Sequence, residues 1–176
     1  MSIDECIKLP AHNLSYLSMY IKRNKFNTID LAVTGWMARN GLFILRISIS
    51  LIFIWFGALK FFPGASPAES LAYRTIELLT FGLLNQQTIL VGLAIWEVTI
   101  GIGLLTKKYM RLILLLLYLQ MAGTLTPVFL FPEEVFHIFP YSLTLEGQYI
   151  IKNLVIISAG IVLGATVRGG RIISVN

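Results

Sequence analysis

Thr88 to Leu105 reads TILVGLAIWEVTIGIGLL. The run is long enough to cross a bilayer core as a helix, and it carries a single acid, Glu97, close to its centre. An ionised carboxylate at that depth costs on the order of several kcal/mol unless it is paired, hydrated or protonated, which makes it a functional-site candidate by default. The rest of the chain can be read by asking what offsets that cost.

Composition agrees with a membrane setting. The 176 residues are 56% hydrophobic and only 13% charged, and the mean hydropathy is +0.77, too apolar for an ordinary soluble domain. Residues 1–40 hold basic residues but no apolar block followed by a small-residue cleavage site. The first span is therefore expected to remain as an uncleaved anchor. Cys6 is the only cysteine, which rules out an intramolecular disulfide or a dithiol relay and assigns any thiol chemistry to a partner. The formal charge of +5 does not point to nucleic acid, because the cations flank apolar segments instead of gathering on one aromatic-rich face.

Four spans are expected, over about 41–62, 88–105, 110–131 and 148–167. Residues 1–26 form a polar tail. Over 28–40, Ile29, Val33, Trp36 and Met37 recur at helical spacing, which predicts a short interfacial helix leading into the membrane. After Pro63, the run Ser66-Pro67-Ala68-Glu69 has the form of a helix start, with a capping serine, proline at the first helical position and glutamate three residues after the cap. It predicts a second short interfacial helix to about Thr80. Pro127 is expected to kink the third span near its end, and Gly160 and Gly164 give the fourth a GxxxG contact. Ten of the 14 lysines and arginines lie in the tail, in the 107–111 turn and after residue 167, whereas the opposite loops hold only Arg74. By the positive-inside rule both termini are cytoplasmic. The expected fold is an all-α, integral-membrane four-helix bundle: a 1–40 tail and interfacial helix, a 41–167 membrane domain and a 168–176 cytoplasmic end.

Depth then selects partners for Glu97. Taking each span's centre as the midplane, Gln120 is central like Glu97, Arg46 lies about 8 Å to the cytoplasmic side, and Lys60 and Lys152 lie about 13 and 8 Å towards the outside. Helical side chains lean towards their own N-terminus, so Lys60 leans into the membrane while Glu97 leans up to it. Competing readings stay open: Arg46 either snorkels to the headgroups or faces inward, Lys60 can snorkel outward, and Lys152 beside Asn153 is an interface anchor or a ligand group. The Lys60–Glu97 pair is either a ligand site or a structural ion pair. Trp55, Phe56 and Trp96 lie near the acid, where they line a flat pocket or serve as packing. Glu133, Glu134 and His137 have metal-like spacing without a third ligand in evidence and read as a wet, charged loop, so no metal site is assigned. His12 and His137 fall on opposite sides, which excludes an intramembrane bis-histidine haem.

Several of these residues recur in order. The first span holds Arg46, Gly57, Lys60 and Phe61, and the second Glu97, Gly101 and Gly103. The third holds Thr124-Leu125-Thr126-Pro127, and the fourth Gly147-Gln148-Tyr149 and then Lys152-Asn153. Over residues 41–167 the set resembles the YkgB/RclC-like bacterial inner-membrane proteins, within the broader DoxX-like group, although Asn153 stands where that branch is expected to carry an acid. The resemblance implies a multi-pass inner-membrane bundle linked to redox biology. DoxX-like members include quinone-linked thiosulfate oxidation subunits and partners of oxidative-stress enzymes, and the RclC branch is associated with reactive-chlorine resistance.

The leading expectation is a redox- or oxidative-stress-associated membrane subunit that binds a small lipophilic carrier, with quinone the candidate, in the outer half of the bundle. Glu97 would exchange a proton, and Lys60, Gln120, Thr124, Lys152, Asn153 and Arg46 supply the candidate ligand groups. Lacking an electron-transferring ligand set, the chain would work with a redox-protein partner. A small proton-coupled transporter, assembled as a homo-oligomer, and a structural or partner-docking membrane protein are the alternatives.

Overall fold

A computed structural model describes residues 11–170 apart from Pro63, Pro67 and Ala68, with side chains from Asn27 onward. The expectations for Cys6, for the side chains of Lys8, Lys22, Arg23 and Lys25, for the centre of the Ser66–Glu69 cap and for Arg171 lie outside the described residues. Four helices are long and apolar enough to cross a membrane: Asn27–Leu59, Gln86–Thr106, Met110–Leu130 and Leu145–Thr166. The chain is thus a mostly helical, multi-pass membrane protein. It divides into two compact units, Met1–Leu42 and Phe43–Asn176.

The described part of the first unit is helical and belongs to α1, Ala11–Leu59. Residues 28–40, expected as a short interfacial helix, are helical and lie within α1. Gly41 costs a helix only about 1 kcal/mol, and polar side chains on this stretch bond back to the helix instead of capping it. The Asn40 amide donates to the Trp36 carbonyl at 2.9 Å, and the Thr34 hydroxyl to that of Asp30.

In the second unit α1 ends at Leu59, before Pro63, and Lys60, Phe61 and Phe62 follow in tighter turns, each bonding the carbonyl three residues back. Proline has no N–H to continue the ladder. α2, Glu69–Leu79, follows, and Glu69 accepts the Gly64 N–H at 2.9 Å to close the turn between them. α3, Gln86–Thr106, starts on Asn85, whose side chain accepts the Thr88 N–H. A tight turn with Lys107 and Tyr109 in the left-handed region leads to α4, Met110–Leu125. The third span breaks at Thr126, giving the short helices α5, Pro127–Leu130, and α6, Pro132–Val135.

A loop was expected over 132–147. Within it β1, Phe136–Ile138, pairs antiparallel with β2, Ser142–Leu143, a short ribbon in a mostly helical fold consistent with the expected all-α bundle. α7, Leu145–Thr166, begins three residues earlier than expected because the Thr144 side chain caps it by accepting the Gly147 N–H.

The helices of this unit pack through one core. It is built from Ile49 and Phe53 of α1, Ile100 and Leu104 of α3, Leu117 and Met121 of α4, and Ala159 and Leu163 of α7. In lipid the apolar drive between helices largely vanishes, so close fit carries the association. Gly57 and Gly101 provide it where α1 meets α3. A Cβ on Gly57 would lie 2.9 Å from the Glu97 Cβ and 3.0 Å from the Val98 nitrogen, and one on Gly101 would lie 2.8 Å from the Ser50 carbonyl oxygen.

At the end holding Lys60, a smaller cluster of Leu71, Val135 and Ile150 joins α2 to α6 and α7. Arg74 reinforces it by pairing with Glu134 and stacking over the Phe131 ring at 4.8 Å. On α2 the Tyr73 hydroxyl donates to Glu77 at 2.5 Å. That bond favours the neutral phenol and holds its pKa above the usual 10, with burial and the Glu77 charge adding in the same direction. The folded state therefore gains from this group at pH values below about 10, and the gain disappears as pH rises through the raised value. In a spectrophotometric titration Tyr73 is expected to ionise above pH 10, with Glu77→Gln moving its midpoint down.

Candidate functional site: an intramembrane carboxylate bridged across three helices

Glu97 sits on the inner face of α3 and is 8% exposed. Both of its oxygens are engaged by other helices. Lys60, just past the end of α1, donates from Nζ to Oε2 at 2.6 Å, and Gln120 of α4 donates from Nε2 to Oε1 at 2.7 Å. Lys60 also reaches the Phe56 carbonyl at 3.4 Å. The chain brings these groups together by two devices. The missing side chain of Gly57 lets α1 approach α3 at the level of the carboxylate, and the helical lean of Lys60 and Glu97 turns the two towards each other.

The remaining candidate residues occupy three separate positions. Thr124 lies one helical turn beyond Gln120 on α4 and accepts from the Asn153 amide of α7 at 3.2 Å, while its own hydroxyl donates to the Met121 carbonyl. This continues the polar line from α4 to α7. Lys152 is exposed and rests over the Tyr149 ring at 5.6 Å. Arg46 stands 5.6 Å from the Phe43 ring, and its buried Nε has no hydrogen-bond partner among the described residues. Neither cation belongs to an ion pair with Glu97 among the described residues.

The aromatic residues next to the bridge in sequence are exposed. Trp96 is 38% exposed, Phe56 41% and Trp55 63%. Trp96 is also fixed across the α3–α4 seam, its indole N–H donating to the Leu116 carbonyl at 3.1 Å. This contact and the Phe56 carbonyl are parts of the site that sequence reading missed. Backbone acceptors carry no residue-type signal, although the position of Phe56 four residues before Lys60 is the spacing that allows such a bond.

Among the described residues no three His, Cys, Asp or Glu side chains gather to hold a metal ion. The network has hydrogen-bonding capacity left over. An ammonium has three protons and Lys60 uses two, while each Glu97 oxygen has a lone pair beyond the one it uses. The site can thus present a donor and an acceptor side by side to one further group. Comparison with protein-family models, with curated proteins and with solved structures finds no match.

Proposed function

We propose that the protein is a redox-associated membrane subunit whose Lys60–Glu97–Gln120 bridge binds the polar head of a small lipophilic carrier of the quinone class. One observation carries this reading: Lys60 and Glu97, bonded to each other at the level of the membrane, keep a donor and an acceptor beyond the bonds they make to Phe56 and Gln120, and the neighbouring Trp55, Phe56 and Trp96 are exposed. A quinone carbonyl accepts from the first, a quinol hydroxyl donates to the second, and the ring stacks on flat side chains. Glu97 is the proton-exchanging group, and electrons pass to or from a partner protein. The ordered residues resembling the YkgB/RclC-like bacterial inner-membrane proteins support the redox association, and the distribution of cations supports cytoplasmic termini.

The test uses the full chain in nanodiscs and a short-chain benzoquinone, read by quenching of tryptophan fluorescence. Saturable quenching is expected, with Glu97→Gln and Lys60→Met each weakening binding about tenfold or more, the scale of a lost charged hydrogen bond. Linear, unsaturable quenching that both variants leave unchanged would sink the reading.

A second reading is favoured by the same bonds. Each Glu97 oxygen already has a protein donor, as a network that only fixes helix register requires. Under that reading a folded Lys60→Met/Glu97→Gln double variant keeps full activity in cells. Under the carrier reading it folds and binds no quinone.

A further inference from the structure

At the opposite end of the bundle from Lys60, where α4 begins and α7 ends, a groove of about 320 Å³ runs between these two helices. Arg111, Leu114 and Tyr118 line it from one side, and Gly164, Val167 and Arg168 from the other. The pattern comes from helical spacing. Arg111, Leu114 and Tyr118 recur at i, i+3 and i+7, and Gly164, Val167 and Arg168 at i, i+3 and i+4, so each helix turns an apolar stripe towards the other and ends it with an arginine. Seven residues separate Arg111 from Tyr118, a depth of about 10 Å.

Gly164 keeps the groove open. A Cβ there would rest at ordinary contact distance, 3.5 Å from Leu114 Cδ1 and 3.9 Å from the Tyr118 hydroxyl, so any larger side chain would occupy the space. The flanking apolar side chains Leu112, Leu115, Ile161 and Val162 are exposed, making the groove continuous with the surface the spans turn to lipid. Neither arginine belongs to the ion pairs found among the described residues, which are Lys60–Glu97 and Arg74–Glu134.

We infer that this groove is a site for one anionic phospholipid of the surrounding bilayer. Its phosphodiester lies between the Arg111 and Arg168 guanidiniums, and one acyl chain follows Leu114, Gly164 and Val167. Charge complementarity selects the occupant. Two guanidiniums match a headgroup of net negative charge, for which their forked donors are suited, and a zwitterionic headgroup brings a cation of its own against them. The depth from the arginines to Tyr118 corresponds to the upper part of an acyl chain. The inference is independent of the quinone reading, since it uses the other end of the molecule.

Native mass spectrometry of the full-length protein, delipidated and then offered phosphatidylglycerol or phosphatidylcholine, tests it. Wild type is expected to retain one phosphatidylglycerol in preference to phosphatidylcholine. Arg111→Gln/Arg168→Gln is expected to lose that preference by about tenfold or more, in line with the contribution of two cations near a membrane surface. Gly164→Phe, which fills the groove and keeps both cations, is expected to lose retention as well. Lys108→Gln, which removes a charge in the neighbouring turn outside the groove, is expected to retain the lipid. Equal retention of the two lipids by wild type, or undiminished phosphatidylglycerol on the double arginine variant, would overturn the inference. So would a loss on Lys108→Gln as large as that on the double variant, because bulk surface charge would then explain the binding.

Discussion

Leucine in place of Glu97 is expected to destabilise the bundle by about 3–5 kcal/mol, the cost of leaving one member of a buried ion pair without its partner. The ammonium of Lys60 loses its counter-charge at 12% side-chain exposure, and the Gln120 amide loses its acceptor. Lys60 lies one residue beyond the end of α1, and its long side chain can swing towards water, which sets the expected value at the lower end. The diagnostic comparison is Lys60→Met/Glu97→Leu. Removing both charges deletes the desolvation cost together with the attraction, so the double variant should recover most of the loss. Unfolding of the single and double variants in mixed micelles measures the difference. A double variant no more stable than Glu97→Leu alone would mean that Lys60 and Glu97 are not energetically coupled.

The second large effect is expected at Gly101. Alanine there sets its Cβ 2.6 Å from Ile54 Cγ1, 2.8 Å from the Ser50 carbonyl oxygen and 2.9 Å from the Ile54 nitrogen. Two of these three neighbours are backbone and cannot rotate away, so α1 and α3 must separate. Overpacking of this kind costs about 1–3 kcal/mol. The loss is not confined to stability. Gly57 and Gly101 together hold the helices at the spacing that puts Lys60 within 2.6 Å of Glu97, so under the proposed carrier reading Gly101→Ala should weaken quinone binding while leaving every polar side chain in place. Gly92 and Gly123 provide the control, because a Cβ at either meets nothing within 4 Å. Alanine at those positions should raise the unfolding midpoint slightly, since it removes glycine's helix cost of about 1 kcal/mol without a clash, and leave ligand binding unchanged. Equal destabilisation by Gly92→Ala and Gly101→Ala would refute close packing as the cause.

Much of the site could be read without coordinates because a lone acid in an apolar run is costly and few groups lie at a depth to relieve that cost. Rise per residue and side-chain lean suffice to bring Lys60 and Gln120 into range of Glu97. The same reasoning leaves Arg46 and Lys152 open, because depth says nothing about rotation around the helix axis. Lys152 turns to Tyr149 at the surface, and Arg46 to Phe43. Local signals mark interruptions unevenly. Gly41 is a weak helix breaker and α1 runs through it, whereas Pro127 interrupts the third span at Thr126, where the kink was expected. The β1–β2 pairing escaped notice because Phe136–Ile138 and Ser142–Leu143 are too short to show alternation.

The clasp of Arg74 on Glu134 and Phe131 has a mechanical consequence. It fastens the connection between α1 and α3 to the connection between α4 and α7, and Leu71 adds an apolar rivet against Val135. Parting these two connections means breaking an ion pair, a ring contact and an apolar contact together, so they are expected to open as one unit or not at all.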